Sequence, residues 1–529
     1  MTRSAPMAAG WPVVAGLLAV PVLLPIGVAL TAFARPDAEL WAHLTSYVLP
    51  EVLPATLWLL VGVACGVALL GSALAALVAL FEFPGRAFFS WALLLPLAVP
   101  GYVLATVFIG MFDYAGGVAT WLRDLGIVLP DIRSRGGVVL VMTLTLYPYV
   151  YLVTRSSLAT QGARLLEAAR LLGLTPGRAV LRVALPLAAP AIAGGTVLAS
   201  METLADFGTV AAFNYDTFTT AIYKAWFALF SIDSALQLAG ILVVLAALLL
   251  WLQTRAQGRR SYVQSGGTAA RIPLHGAAGF AATGACALVL LVAFVVPASQ
   301  LVAWSLQYAA RDLDARLLGA AGRSVVLGLV AATITATVAV LLAYAARRSP
   351  GRFTGVAVRL ATLGYAAPGA LLAIGLFVPV AAFLRWSHTA LGVGALVQGG
   401  LLLMLLAYVV RFSAVAHAPV AAGLHRIKPS LDEAAQLAGV TGVAQLARVH
   451  VPLLRPGLAA ALALVFVDVM KEMPITLMTR PFGWDTLSVR VFELTSEGEW
   501  QRAALPSLAI VVAGLVPVWL LTRTPARGA

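Results

Sequence analysis

Charge is scarce in this chain: Asp, Glu, Lys and Arg make up 11% of its 529 residues, against 61% hydrophobic. A soluble globular protein carries roughly a quarter charged residues. The deficit excludes an ordinary cytosolic enzyme and a disordered or acidic scaffold. Cysteine is nearly missing. Cys65 and Cys286 each sit in an apolar run without a Cys or His at metal-ligand spacing. That excludes a disulfide framework, and both read as small buried apolar side chains. The six histidines are scattered, and no H-E-x-x-H, G-x-S-x-G or Cys/His cluster occurs, so no catalytic or metal site is assigned. The three lysines, Lys224, Lys428 and Lys471, follow Tyr, Ile and Met. A phosphate-cradling P-loop needs a Gly-Lys pair, so this chain has no ATPase motif of its own and is not read as an enzyme.

What is present is apolar length. Runs of about 20 apolar residues recur throughout, each enough to cross a bilayer as a helix. They predict an all-α integral membrane protein with about twelve spans, near 11–33, 54–80, 87–110, 137–154, 187–206 and 234–253, then 276–298, 323–345, 356–380, 397–416, 457–478 and 504–522. The first run follows Arg3 and precedes a small-residue Ala32-Phe33-Ala34 stretch, as a signal peptide would, yet it is long for a signal core and is expected to be a retained helix.

The net charge of +13 belongs to topology. With the N-terminus inside, the cytoplasmic segments collect Arg86, Arg155, Arg164, Arg170, Arg178, Arg182, Arg347, Arg348, Arg411, Arg426, Lys428 and Arg448 against few acids. The outer loops near 34–53 and 480–502 are balanced. Basic residues stay on the cytoplasmic side. This predicts both termini in the cytoplasm of a multi-pass protein among lipid, and no nucleic-acid partner.

The chain also repeats itself. Glu167-Ala168-Ala169, Gly173 and Val183-Ala184-Leu185-Pro186 recur 266 residues later as Glu433-Ala434-Ala435, Gly439 and Val449-His450-Val451-Pro452. Pro84-Gly85-Arg86 matches Pro350-Gly351-Arg352, and Pro100-Gly101 matches Pro368-Gly369. Two parallel six-helix repeats follow: a first unit over 1–262 (core about 54–254) and a second over 263–529 (core about 322–522). A polar, Gly-rich linker near 255–275 joins them.

Each E-A-A segment lies in a long loop between the fourth and fifth spans of its half, about 155–186 and 417–452. Its pattern is a short helix ended by a glycine, then Thr175-Pro176 opening a second helix in the first copy. A helical hairpin presented twice on one face is a docking element. The doubled E-A-A-x3-G-x9-V-x-[LV]-P pattern resembles the signature of ABC transporter permeases of the binding-protein-dependent import type. Nearly the whole chain is covered, as two fused type I importer-like units. The resemblance implies that Glu167, Ala168, Gly173, Glu433, Ala434 and Gly439 couple to two separate ATP-binding subunits, which hold ATP and Mg, while an extracytoplasmic binding protein delivers substrate. Met201 to Gly208, Asp216 to Thr220 and Asp468 to Pro474, with Tyr147 to Tyr151 and Arg411-Phe412, look like the ferric-iron permeases of this superfamily; fused thiamine permeases share the layout.

Ionisable groups inside spans are costly and face a partner or a wet cavity. Glu202 and Asp206 in the fifth span, and Asp468 and Glu472 in the eleventh, are candidate translocation-path residues, with Lys471 able to pair with Asp468. Carboxylate oxygens suit a hard cation, and Tyr147 and Tyr149 are candidate phenol ligands, though interfacial packing also explains them. The rival from another class is an ion-coupled secondary transporter built of two parallel halves, for which the carboxylates would be an ion relay and the E-A-A hairpins would have no use.

Overall fold

The computed structural model describes residues 10–33, 38–159, 169, 171, 173–257, 271–391 and 399–523. Nearly all of them are helical, as a chain must be where no water satisfies backbone N–H and C=O groups. Among the described residues ten helices are long and apolar enough to cross a membrane, or eleven if the bent pair Gly442–Leu453 and Arg455–Lys471 counts as one span. The last expected span falls on Ala504–Arg523.

Two expected spans are corrected in the same way. The stretch near 87–110 is a short surface helix Arg86–Ala92, a 3-10 turn Leu95–Ala98 and a separate helix Gly101–Phe112. The stretch near 356–380 repeats this as Arg352–Ala361, Leu363–Ala366 and Gly369–Leu391. The cause is the Pro-Gly pair. Pro100 and Pro368 force the preceding Val99 (ψ 120°) and Ala367 (ψ 125°) into extended backbone, which ends a helix. The fifth and eleventh helices, Leu185–Ala205 and Arg455–Lys471, likewise stop at Asp206 and Glu472. Short helices Gly208–Ala212 and Pro474–Thr479 follow them.

The two halves clasp each other. The first helix, Gly10–Thr31, packs against the second half's Ala315–Arg348, Arg352–Ala361 and Gly369–Leu391. There Trp11 meets Tyr344 edge-on at 4.7 Å. In return, Ala277–Leu290 packs on Arg86–Ala92 and Val296–Asp312 packs on Gly101–Phe112. Thr283 donates to the Pro84 carbonyl at 2.8 Å, and the buried Trp304 fills the space beside Gly110. At the end of the linker, Ile272–Pro273 pairs in parallel with Phe81–Glu82. Cys286 is buried as expected; Cys65 is exposed, a correction. It lies on the Leu49–Leu80 face that also exposes Leu57, Trp58, Val61 and Leu69. A lipid-facing apolar surface counts as buried for transfer energy and exposed in geometry.

Candidate functional site

The E-A-A hairpins have the local geometry their sequences predict. In the second, Pro429 opens a helix Pro429–Leu437 after extended Lys428. Gly439 sits in the left-handed region (φ +77°). The Val440 N–H returns to the Ala435 carbonyl at 2.8 Å, closing the turn with a Schellman-type bond. In the first copy Gly173 has φ +88°, and the Leu174 N–H donates to Ala169 at 3.1 Å. Glu167 and Ala168 lie outside the described residues. Thr175 is extended before Pro176, but its side chain makes no capping bond. Glu433 and Ala434 are exposed, and the equivalent Leu171 and Leu437 are 89% and 90% exposed.

The hairpins are anchored differently. In the second half Asp432 accepts from Arg347 Nε at 2.8 Å, His450 Nε2 lies 2.7 Å from its other oxygen, and Gln445 donates at 3.1 Å. Arg347 also holds the Leu424 and Ile427 carbonyls, ending the Gly399–Arg426 helix. That helix runs ten residues past the expected end of its span at 416. Among the described residues of the first half, Leu80, Ala179, Val180 and Ala184 form an apolar cluster there. A Cβ on Gly439 would meet nothing within 4 Å, so the cost of a side chain is backbone strain alone. Gly439→Ala is expected to destabilise the hairpin by about 1 kcal/mol. Amide exchange should quicken across 429–445 while the spans melt unchanged.

The second locale is a partly open cavity of about 1160 Å³ between the halves, lined by Leu97, Tyr149, Glu202, Asp206, Tyr365, Arg411, Asp468, Lys471 and Glu472 among others. The four carboxylates divide by role. Asp206 accepts the Thr209 N–H at 2.9 Å and the Val210 N–H at 3.2 Å. Glu472 accepts the Ile475 N–H at 3.0 Å. Each therefore satisfies the orphan donors of the short helix after its break. Gly101 and Gly369 let the chain pass close to them: a Cβ would fall 2.6 Å from Thr209 Oγ1 in one case and 2.8 Å from Glu472 Oε1 in the other. Glu202 and Asp468, one turn earlier on their helices, are left facing the space. Glu202 accepts from Tyr365 Oη of the opposite half at 2.7 Å, and Tyr149 lines the same space.

Three expectations are corrected here. Tyr147 is not in the lining; it is fully buried and its hydroxyl donates to the Leu93 carbonyl at 2.9 Å, so it pins the third and fourth segments together. Arg411 is not a loop charge. It sits inside Gly399–Arg426, 7% exposed, with Nε 3.4 Å from Glu472 Oε2. Lys471 does not close a salt bridge with Asp468; its Nζ donates to the Leu97 carbonyl of the other half at 2.8 Å. Tyr365 and Tyr102 escaped sequence reasoning. Their only signal is proximity to the two Pro-Gly breaks. Tyr102 Oη is buried without a hydrogen-bond partner. Among the described residues no group of three or more His, Cys, Asp or Glu could hold a metal. The cavity is thus a mixed lining with four carboxylates and two cations.

The sequence is similar to those of known proteins. The family described as "Binding-protein-dependent transport system inner membrane component" matches residues 68–262. An Fe(3+)-transport system permease protein of Haemophilus influenzae is 27% identical over 89% of this chain and 90% of its own. A probable molybdenum ABC transporter permease protein of Haloferax volcanii is 32% identical over 44% of this chain and 84% of its own. A putative 2-aminoethylphosphonate transport system permease protein of Salmonella typhimurium is 34% identical over 25% of this chain and 49% of its own. The chain therefore belongs to the binding-protein-dependent transport system inner membrane components, the multi-pass permease subunits of ABC importers.

Proposed function

We propose that this permease imports a cationic substrate, ferric iron first among candidates, by alternating access around the cavity between its halves. The observation that carries the reading is the lining: Glu202, Asp206, Asp468 and Glu472 outnumber Arg411 and Lys471, leaving an excess of negative charge. A hard cation is held by such oxygens, and the Haemophilus relative is named for Fe(3+). Glu202, Asp468 and Tyr149 are the path residues of this reading; Asp206 and Glu472 shape it. The two units, 1–262 and 263–529, replace a permease dimer, so one chain forms one pore. The hairpins with Glu167, Ala168, Gly173, Glu433, Ala434 and Gly439 dock two ATP-binding subunits, which carry ATP and Mg. An extracytoplasmic binding protein loads the opposite face, and both termini are cytoplasmic.

A second reading has its own observation. Arg411 and Lys471 line the same cavity, and the Haloferax relative is named for molybdenum, an element carried as an oxyanion. Liposomes reconstituted with permease, ATPase and binding protein, offered ferric iron, molybdate and thiamine in parallel, separate the cases. Iron uptake is expected. Molybdate uptake alone would move the assignment to the oxyanion reading, thiamine uptake alone to an organic cation. Uptake driven by an ion gradient without ATPase would make the protein a secondary transporter.

A further inference from the structure

We propose that Lys471 is a built-in counter-cation. In the empty permease it neutralises the Glu202/Asp468 pair, and a multivalent substrate must displace it, which bars monovalent cations from the path. The inference rests on reading the cavity as the path.

Lys471 belongs to one half only. At the matching distance from the E-A-A motif the first half has Ala205, whereas Glu202 and Asp468 correspond to each other. Lys471 lines the same cavity as these carboxylates. Asp468 is one turn back on its own helix, and Glu202 comes from the opposite half; both act on Lys471 electrostatically. Neither is within salt-bridge distance, since the described ion pairs do not include Lys471. Among the described residues its one hydrogen bond is to the Leu97 carbonyl, at the 3-10 turn Leu95–Ala98 that precedes the Pro100 break. An ammonium is a compact charge on a four-carbon stem with three donors, so a group held by one hydrogen bond can swing aside. Attraction to a carboxylate pair scales with the charge of the visitor. A potassium or sodium ion gains nothing over the resident ammonium; a multivalent ion does.

The test uses proteoliposomes of the complete transporter, with rubidium efflux measured without ATP and iron uptake measured with it. Lys471→Met should raise rubidium efflux about tenfold or more, Lys471→Arg should stay near the wild type, and Lys471→Met/Asp468→Asn should fall back toward it. Lys471→Gln keeps a polar N–H donor on a side chain one atom shorter while losing charge. It should leak like the Met variant, and it serves if the Met variant does not assemble. Unchanged efflux in Lys471→Gln overturns the inference, as does a leak of equal size in Lys471→Arg, which would mean a steric seal. Failure of ATP-driven uptake in the wild type would instead sink the path reading, and the efflux comparison would still be decided by its own variants.

Discussion

Arg411→Leu is expected to cost about 3–5 kcal/mol of stability, the usual effect of removing one partner of a buried ion pair. Both side chains are nearly sealed, Arg411 9% and Glu472 6% exposed, with Nε and Oε2 3.4 Å apart. The contact is ionic: Arg411 Nε has no hydrogen-bond partner. With the guanidinium gone, the Ile475 N–H is the one donor left to the Glu472 carboxylate among the described residues, and a carboxylate is left in a poorly solvated place. The double variant Arg411→Leu/Glu472→Gln removes the orphaned charge and should recover most of the loss. The Gln side chain still has a carbonyl oxygen for Ile475. Melting of the purified permease measures both. A single variant as stable as the wild type, or a double variant as unstable as the single, would show that Glu472 is solvated by the cavity and that the pair contributes little.

Glu167→Ala combined with Glu433→Ala is expected to abolish coupling without loosening the fold. Glu433 is exposed on Pro429–Leu437, while the polar bonds that hold the hairpin pass through its neighbour Asp432. Losing one charge-assisted contact on each docking face removes about 1.5–3 kcal/mol apiece, so binding-protein-stimulated ATP hydrolysis and uptake should fall by roughly a hundredfold or more. The melting profile should be that of the wild type. Retained stimulation in the double variant would mean that the hairpin docks through its apolar knobs Leu171 and Leu437 alone. A fall in melting temperature matching the loss would mean that the glutamates serve the hairpin and not its partner.

The amino-acid sequence by itself determined whatever is closed within a few residues. Apolar runs specify membrane helices because a helix satisfies its own backbone. The E-A-A-x3-G spacing specifies a helix and its left-handed stop, since both bonds of that turn lie within six residues. The 266-residue repeat carried these features to the second half, where Gly439 reproduces Gly173 in conformation. Even the Pro-Gly breaks were legible as residues, though the apolar stretch on either side hid their effect on span length. The tertiary structure decided which polar side chains meet. Two carboxylates one turn apart at one helix end look alike in sequence, yet Asp206 caps its own chain while Glu202 faces Tyr365, 163 residues away. Lys471 reaches Leu97 across 374 residues rather than Asp468 across three. Arg411 counts with the cytoplasmic charges although the expected span 397–416 contains it, and the ion pair with Glu472 shows it to be interior. Hydrogen bonds that close inside a helix leave a periodic trace along the chain. Charges in a low-dielectric interior choose partners by distance in space, and that distance was set only when the two halves had clasped.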